Sequence, residues 1–77
     1  MRKFTFKKTA IIGGRRVRLN WQPLDTLDGW YAEVNPRALR ALERDSAIDM
    51  GKVEDELQEY GDYVRRDYKR LAVYKMV

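Results

Sequence analysis

Cysteine and histidine are both absent from this chain. Without thiols there is no disulfide and no thiolate metal site, and without imidazole the common zinc sites are excluded too. The same absences remove nucleophilic catalysis of the Ser-His or Cys-His kind. Long apolar runs are also lacking. Leu71-Ala72-Val73-Tyr74 is among the longest, far short of the ~20 residues a membrane span requires. The opening Met1-Arg2-Lys3-Phe4-Thr5-Phe6-Lys7-Lys8 is basic, but no apolar core follows it as a targeting segment would need. The expectation is a soluble, cytoplasmic protein that does not engage membranes.

A phosphate-cradling glycine loop is missing as well, since Gly13-Gly14 sits between two strand-like segments and does not precede a helix. Glu54-Asp55-Glu56 and Glu59 supply carboxylates, but successive helical positions diverge, so they read as a solvated face. No catalytic residue, metal or cofactor is expected, and the protein reads as a non-enzyme.

What the chain does have is charge, unevenly spread. The net charge is +4, from 16 basic and 12 acidic residues. Residues 1–24 hold seven basic side chains and no acidic one. Residues 25–59 hold four basic and ten acidic, and residues 60–77 five basic and two acidic. This asymmetry says more than the total. At 77 residues the chain is one domain, and a domain of that size buries only about 60% of the surface its unfolded form exposes. Pairing into a homodimer would be one way to bury more.

The first segment reads as a β-hairpin. Residues 4–12 and Val17-Arg18-Leu19-Asn20-Trp21 are rich in aromatic and β-branched types, and Gly13-Gly14 between them suits a two-residue type I′ turn. In that register Ala10 faces Val17 and Ile12 faces Arg15. Phe4, Phe6, Ala10, Ile12, Val17, Leu19 and Trp21 share the inner face, with Lys8 as the misfit. Thr5, Lys7, Thr9, Ile11, Arg16, Arg18, Asn20 and Gln22 share the outer one. A slip of one residue would bury arginines, so the register is well determined. Pro23 closes this strand, and Trp30 to Val34 alternates again as a third, with Trp30, Ala32 and Val34 inward. Asn35-Pro36 then starts a short helix, Asn as cap and Pro at the first position, with Leu39 and Leu42 on one side.

From Ser46 onward the apolar residues Met50, Val53, Leu57, Tyr60, Val64, Tyr68 and Leu71 recur at 3.6-residue spacing. They predict one long helix, opened by a box of Ser46 and Asp49. Its acidic first half and basic second half complement the helix dipole, and Asp62 and Arg66 make an i,i+4 pair. Gly61 lies at the stripe's edge, where Trp21 or Trp30 can approach closely. Trp21, Trp30, Leu57 and Val64 should be buried together. The expected fold is α+β: a three-stranded antiparallel β-meander over residues 1–34, a short helix over 35–45, and a long C-terminal amphipathic helix over 46–75 packed on the sheet. With neither His nor Cys, such a chain resembles small proteins of phages and mobile elements.

Two surfaces stand out. The outer face of the hairpin gathers Lys7, Arg16 and Arg18, with Arg15 at the turn and Arg2 and Lys3 at the free end. A two-stranded ribbon fits the DNA major groove and offers donors to phosphates and base edges. Basic residues on an edge strand also guard against sheet-to-sheet aggregation, but such guards usually mix both signs. The leading function is therefore a nucleic-acid- or nucleoprotein-binding module. The alternative is a small protein-binding regulator or inhibitor acting through Tyr63, Arg70 and Tyr74 on the helix flank, where Tyr and Arg are typical hot-spot residues, or by dimerisation.

Overall fold

Gly13 and Gly14 both take positive φ, 57° and 73°, as a type I′ turn demands. The turn joins β1 (Thr9–Ile12) to β2 (Arg15–Pro23) with Ala10 opposite Val17 and Ile12 opposite Arg15, the register read from the sequence. The computed structural model describes residues 6–25 and 28–76. Beyond the strand ends the hairpin continues: the Leu19 N–H donates to the Lys8 carbonyl at 2.8 Å, and Phe6 meets Trp21 at 5.0 Å between ring centroids. Lys8 itself is exposed.

β3 (Gly29–Val34) pairs antiparallel with β2, and α1 (Pro36–Arg44) follows. Its cap is the expected one. Asn35 Oδ1 accepts from the N–H groups of Arg37 at 2.8 Å and Ala38 at 3.4 Å, while Leu39 and Leu42 are buried. α2 (Met50–Gln58) is then opened by Asp49, whose carboxylate accepts from the Gly51 N–H at 2.9 Å. Ser46 is not its cap.

The long helix does not form. α2 ends at Gln58 in a tightened turn, where the Glu59, Tyr60 and Gly61 N–H groups reach back three residues to the carbonyls of Glu56, Leu57 and Gln58. The chain then makes a second hairpin of β4 (Tyr63–Arg66) and β5 (Leu71–Met76). The connection Asp67-Tyr68-Lys69-Arg70 is closed by a bond of 2.9 Å from the Asp67 N–H to the Arg70 carbonyl. Tyr68, assigned by periodicity to the buried stripe, is 88% exposed at that tip. The hairpin that replaces the helix requires a glycine at position 61. An added Cβ there would lie 2.6 Å from Val73 Cγ2 and 2.7 Å from the Tyr74 carbonyl oxygen. The close approach anticipated at this glycine is real, but its neighbours are β5 and not a tryptophan.

The three-stranded meander is therefore part of a five-stranded antiparallel sheet in the order β1-β2-β3-β5-β4. β1 and β4 lie at opposite ends of that order, yet both pack against α2. The sheet is curled around the helix. Its concave side contributes Ala10, Ile12, Val17, Leu19, Ala32, Val34, Leu71 and Val73 to one core with Leu39, Leu42, Val53 and Leu57 from the helices. Of the four residues expected to be buried together, Leu57 is fully so; Trp21 and Val64 pack on the core only partly buried, and Trp30 is half-buried.

The two sheet edges differ. On β1 the Ile11 N–H donates to the Tyr60 hydroxyl at 3.0 Å, and the Gly13 N–H beyond it to the Glu56 carboxylate at 2.8 Å. α2 thus caps the outer edge of the first hairpin. Gly13 is pressed onto the helices so closely that a Cβ would sit 2.8 Å from Leu42 Cδ2. No helix among the described residues is long and apolar enough to cross a membrane.

Candidate nucleic-acid interface

Alternation fixes what the convex side of the sheet, left open by the described helices, presents. Every second residue points into the core, so the residues between them share the other face. Read across the strands, Gln22, Tyr31, Tyr74 and Tyr63 form one row, and Asn20, Glu33, Ala72 and Arg65 form the next. On the first hairpin Thr9 stands beside Arg18 and Ile11 beside Arg16. Successive rows are about 7 Å apart along the strands. Arg70 belongs to the same face, lining a shallow groove with Tyr31, Glu33, Arg65 and Tyr74.

The tyrosine row is a built feature. Tyr63 and Tyr74 stack at 4.9 Å between centroids with planes 5° apart, and Tyr31 continues the stack on Tyr74 at 5.9 Å and 24°. That spacing matches the distance between neighbouring strands, so the rings stand upright from the sheet with faces toward one another. The Tyr31 hydroxyl donates to Gln22 Oε1 at 3.3 Å, extending the row onto β2. Asp62 secures the same end of the sheet. Its carboxylate accepts from the Met76 N–H at 2.7 Å and from Lys75 Nζ at 3.0 Å. The Met76 bond first, and the Lys75 ammonium second, hold its pKa below the ordinary aspartate value. This carboxylate ties the start of β4 to the end of β5, where Tyr63 and Tyr74 meet.

The charges on this face lack the partners that neutralise charges elsewhere. Arg16, Arg18 and Arg70 make no ion pair among the described residues, and Arg65 reaches only Asp67 at 3.9 Å in a strongly exposed pair. Exposed contacts of that length are worth little. By contrast, Arg66, on the helix side of β4, is held by Glu43 at 3.1 Å and Glu54 at 3.4 Å. Among residues 45–59 there are six acids and one lysine, and they belong to α2 and its approach, behind the sheet. The open face sets four arginines, Arg16, Arg18, Arg65 and Arg70, against Glu33 and Asp67 and is net positive; the α2 side is net negative.

The structure therefore brings together residues that the sequence assigned to separate surfaces. Arg16 and Arg18 lie on the open face, and Lys7 is exposed just before β1. Arg15 shares the inward parity of Val17 and stands at the turn, apart from them. Arg2 and Lys3 lie outside the described residues. Tyr63 and Tyr74 are cross-strand neighbours of a hairpin and not a helix flank, and Arg70, just before β5, lines a groove with Tyr74. Tyr31 and Arg65 are additions. Tyr31 was legible as outward-facing, but its stack depends on β3 pairing with β5. Arg65 was set aside as a complement to a helix dipole, and without that helix the explanation lapses. The Asp62–Arg66 pair goes with it, since Asp62 holds Lys75 and Arg66 holds Glu43 and Glu54. Among the described residues no group of three potential metal ligands converges. Compared with protein-family models, curated proteins and solved structures, the chain has no match.

Proposed function

We propose that this protein is a non-enzymatic nucleic-acid-binding module, acting on a nucleic acid directly or within a nucleoprotein complex, and that its contact surface is the open face of the sheet. One observation carries the reading. Arginines from hairpins at opposite ends of the chain, Arg16 and Arg18 on β2 and Arg65 and Arg70 on the β4–β5 hairpin, share one uncovered face while the acids of α2 lie behind it. Asn20, Gln22 and Thr9 add hydrogen-bonding groups beside them. The first hairpin does not act as a projecting ribbon here, because its turn is pressed onto Leu42 and held by Glu56. A broad sheet surface contacting phosphates fits the geometry better than a ribbon in a major groove.

Titration against labelled single-stranded and duplex oligonucleotides over a range of salt tests this. Affinity should fall steeply as salt rises, because each neutralised phosphate releases counterions. Arg16→Ser with Arg18→Ser should leave the fold intact, since both side chains are exposed. The double variant should bind more weakly, with a salt slope on single strands shallower by about 1.4, at about 0.7 per lost contact. No binding to any oligonucleotide at low salt would overturn the reading.

The upright tyrosine stack supports a second reading, a small protein-binding regulator or inhibitor. Between strands the rings cover one another, leaving edges, hydroxyls and the outer face of Tyr63, and rigid Tyr beside Arg makes an effective protein contact at low entropic cost. Its partner would carry an acidic surface. Failure of every oligonucleotide to bind would favour this reading.

A further inference from the structure

The tyrosine stack has one unfinished end. β4 is the last strand in the sheet order, so among the described residues no strand lies beyond Tyr63. Tyr63 is 43% exposed and its one ring partner among the described residues is Tyr74, on the inner side. Resting on the nucleic-acid reading above, we propose that an unpaired base seats on the outer ring face of Tyr63 as the next ring of the stack. The ligand class is then single-stranded nucleic acid. Rings already aligned within 5° of each other set the plane that a fourth ring would adopt, so little ordering is required on binding. Base-on-aromatic stacking of this kind tolerates any sequence, because every base has a π-face.

The charges around Tyr63 agree with this ligand. Arg65 stands two residues along the same strand on the same face, about 7 Å away, within reach of the phosphate next to a base on Tyr63. Arg70 stands beside Arg65, and Arg18 and Arg16 add positive charge on the first hairpin, with Glu33 of β3 between the two groups. The carboxylate nearest in sequence, Asp62, is occupied by the Met76 N–H and the Lys75 ammonium, so it opposes a phosphate less than a free acid would. A duplex is a poorer fit, since its bases are stacked on one another and none is free to meet the ring.

Fluorescence anisotropy at low salt decides the matter with two labelled strands of equal length, an oligothymidylate and an abasic strand that keeps the phosphates and lacks the bases. The wild type should prefer the thymidine strand by roughly 5- to 150-fold, the range of a single stacking contact. Tyr63→Ala should lose that preference and keep its affinity for the abasic strand. Tyr63→Trp, which restores a stacking face at the same place, should regain it and so separates loss of the ring from misfolding. Equal wild-type affinity for the two strands would overturn the inference and leave a surface that reads phosphates alone. So would an unchanged preference in Tyr63→Ala. Failure to bind either strand would remove the nucleic-acid reading itself, and this inference with it.

Discussion

Arg66 points to the helix side of β4, where Glu43 and Glu54 take up its guanidinium, while Arg65 points to the open side and reaches only Asp67 at 3.9 Å. Adjacent residues of one type are thus given different work by the pleat alone. Asp62 is the counterpart among the acids, tied to the end of β5 through Met76 and Lys75. Its pKa is lowered in the folded state. The stabilisation it contributes is therefore present above the unfolded value of about 3.9 and is lost as pH falls through the lower folded value. Asp62→Asn should be less stable than the wild type at neutral pH, and the gap should close in acid. Urea unfolding at neutral pH and again below about pH 3 would show this. A gap of the same size at both would mean that the carboxylate's charge contributes nothing.

Gly61 lies where the end of α2 meets β5. Because an added methyl would collide with Val73 and the Tyr74 carbonyl, Gly61→Ala should destabilise the fold by about 1–3 kcal/mol through overpacking. In an open helix the same change would stabilise by about 0.5–1 kcal/mol. Thermal melts give the sign, and a gain would contradict the packing described. The first half of the chain was legible because its signals agree: two glycines suited to one turn type, an apolar-polar alternation from Val17 to Gln22, and Asn-Pro at a helix start. The second half was misread because two residues blur the alternation. Arg66 puts a charge on the core side of β4, where the helix carboxylates receive it, and Ala72 is a buried apolar residue on the outer side of β5. The Asp67-Tyr68-Lys69-Arg70 turn lacks glycine, proline and asparagine, so Asp67 alone marked the hairpin. Meanwhile Val64, Tyr68 and Leu71 happen to continue the helical spacing of Val53, Leu57 and Tyr60. Local pattern favoured a helix; the close fit of Gly61 on β5 and the pairing of β3 with β5, both invisible to local pattern, go with the sheet. The candidate site was legible in the same measure. The arginines of the first hairpin were found, and the residues that join them from the second were placed on a helix that does not exist.

At the scale of the whole molecule, the curled sheet divides charge unevenly, with the exposed Arg37, Arg40 and Arg44 of α1 sharing the helix side with the acids of α2. Its concave side wraps the helices, with acids on the outside of α2, and its convex side carries arginines from both hairpins beside three stacked tyrosines. A molecule polarised in this way orients as it approaches a polyanion, open face first. The amide spectrum of isotope-labelled protein, recorded during titration with a single-stranded oligonucleotide at low salt, tests this most directly. The resonances expected to move are those of Arg16, Arg18, Asn20, Tyr31, Tyr63, Arg65, Arg70 and Tyr74, while those of α1 and α2 stay in place. Shifts centred on the helices, or none at all, would contradict the assignment of the open face as the binding surface.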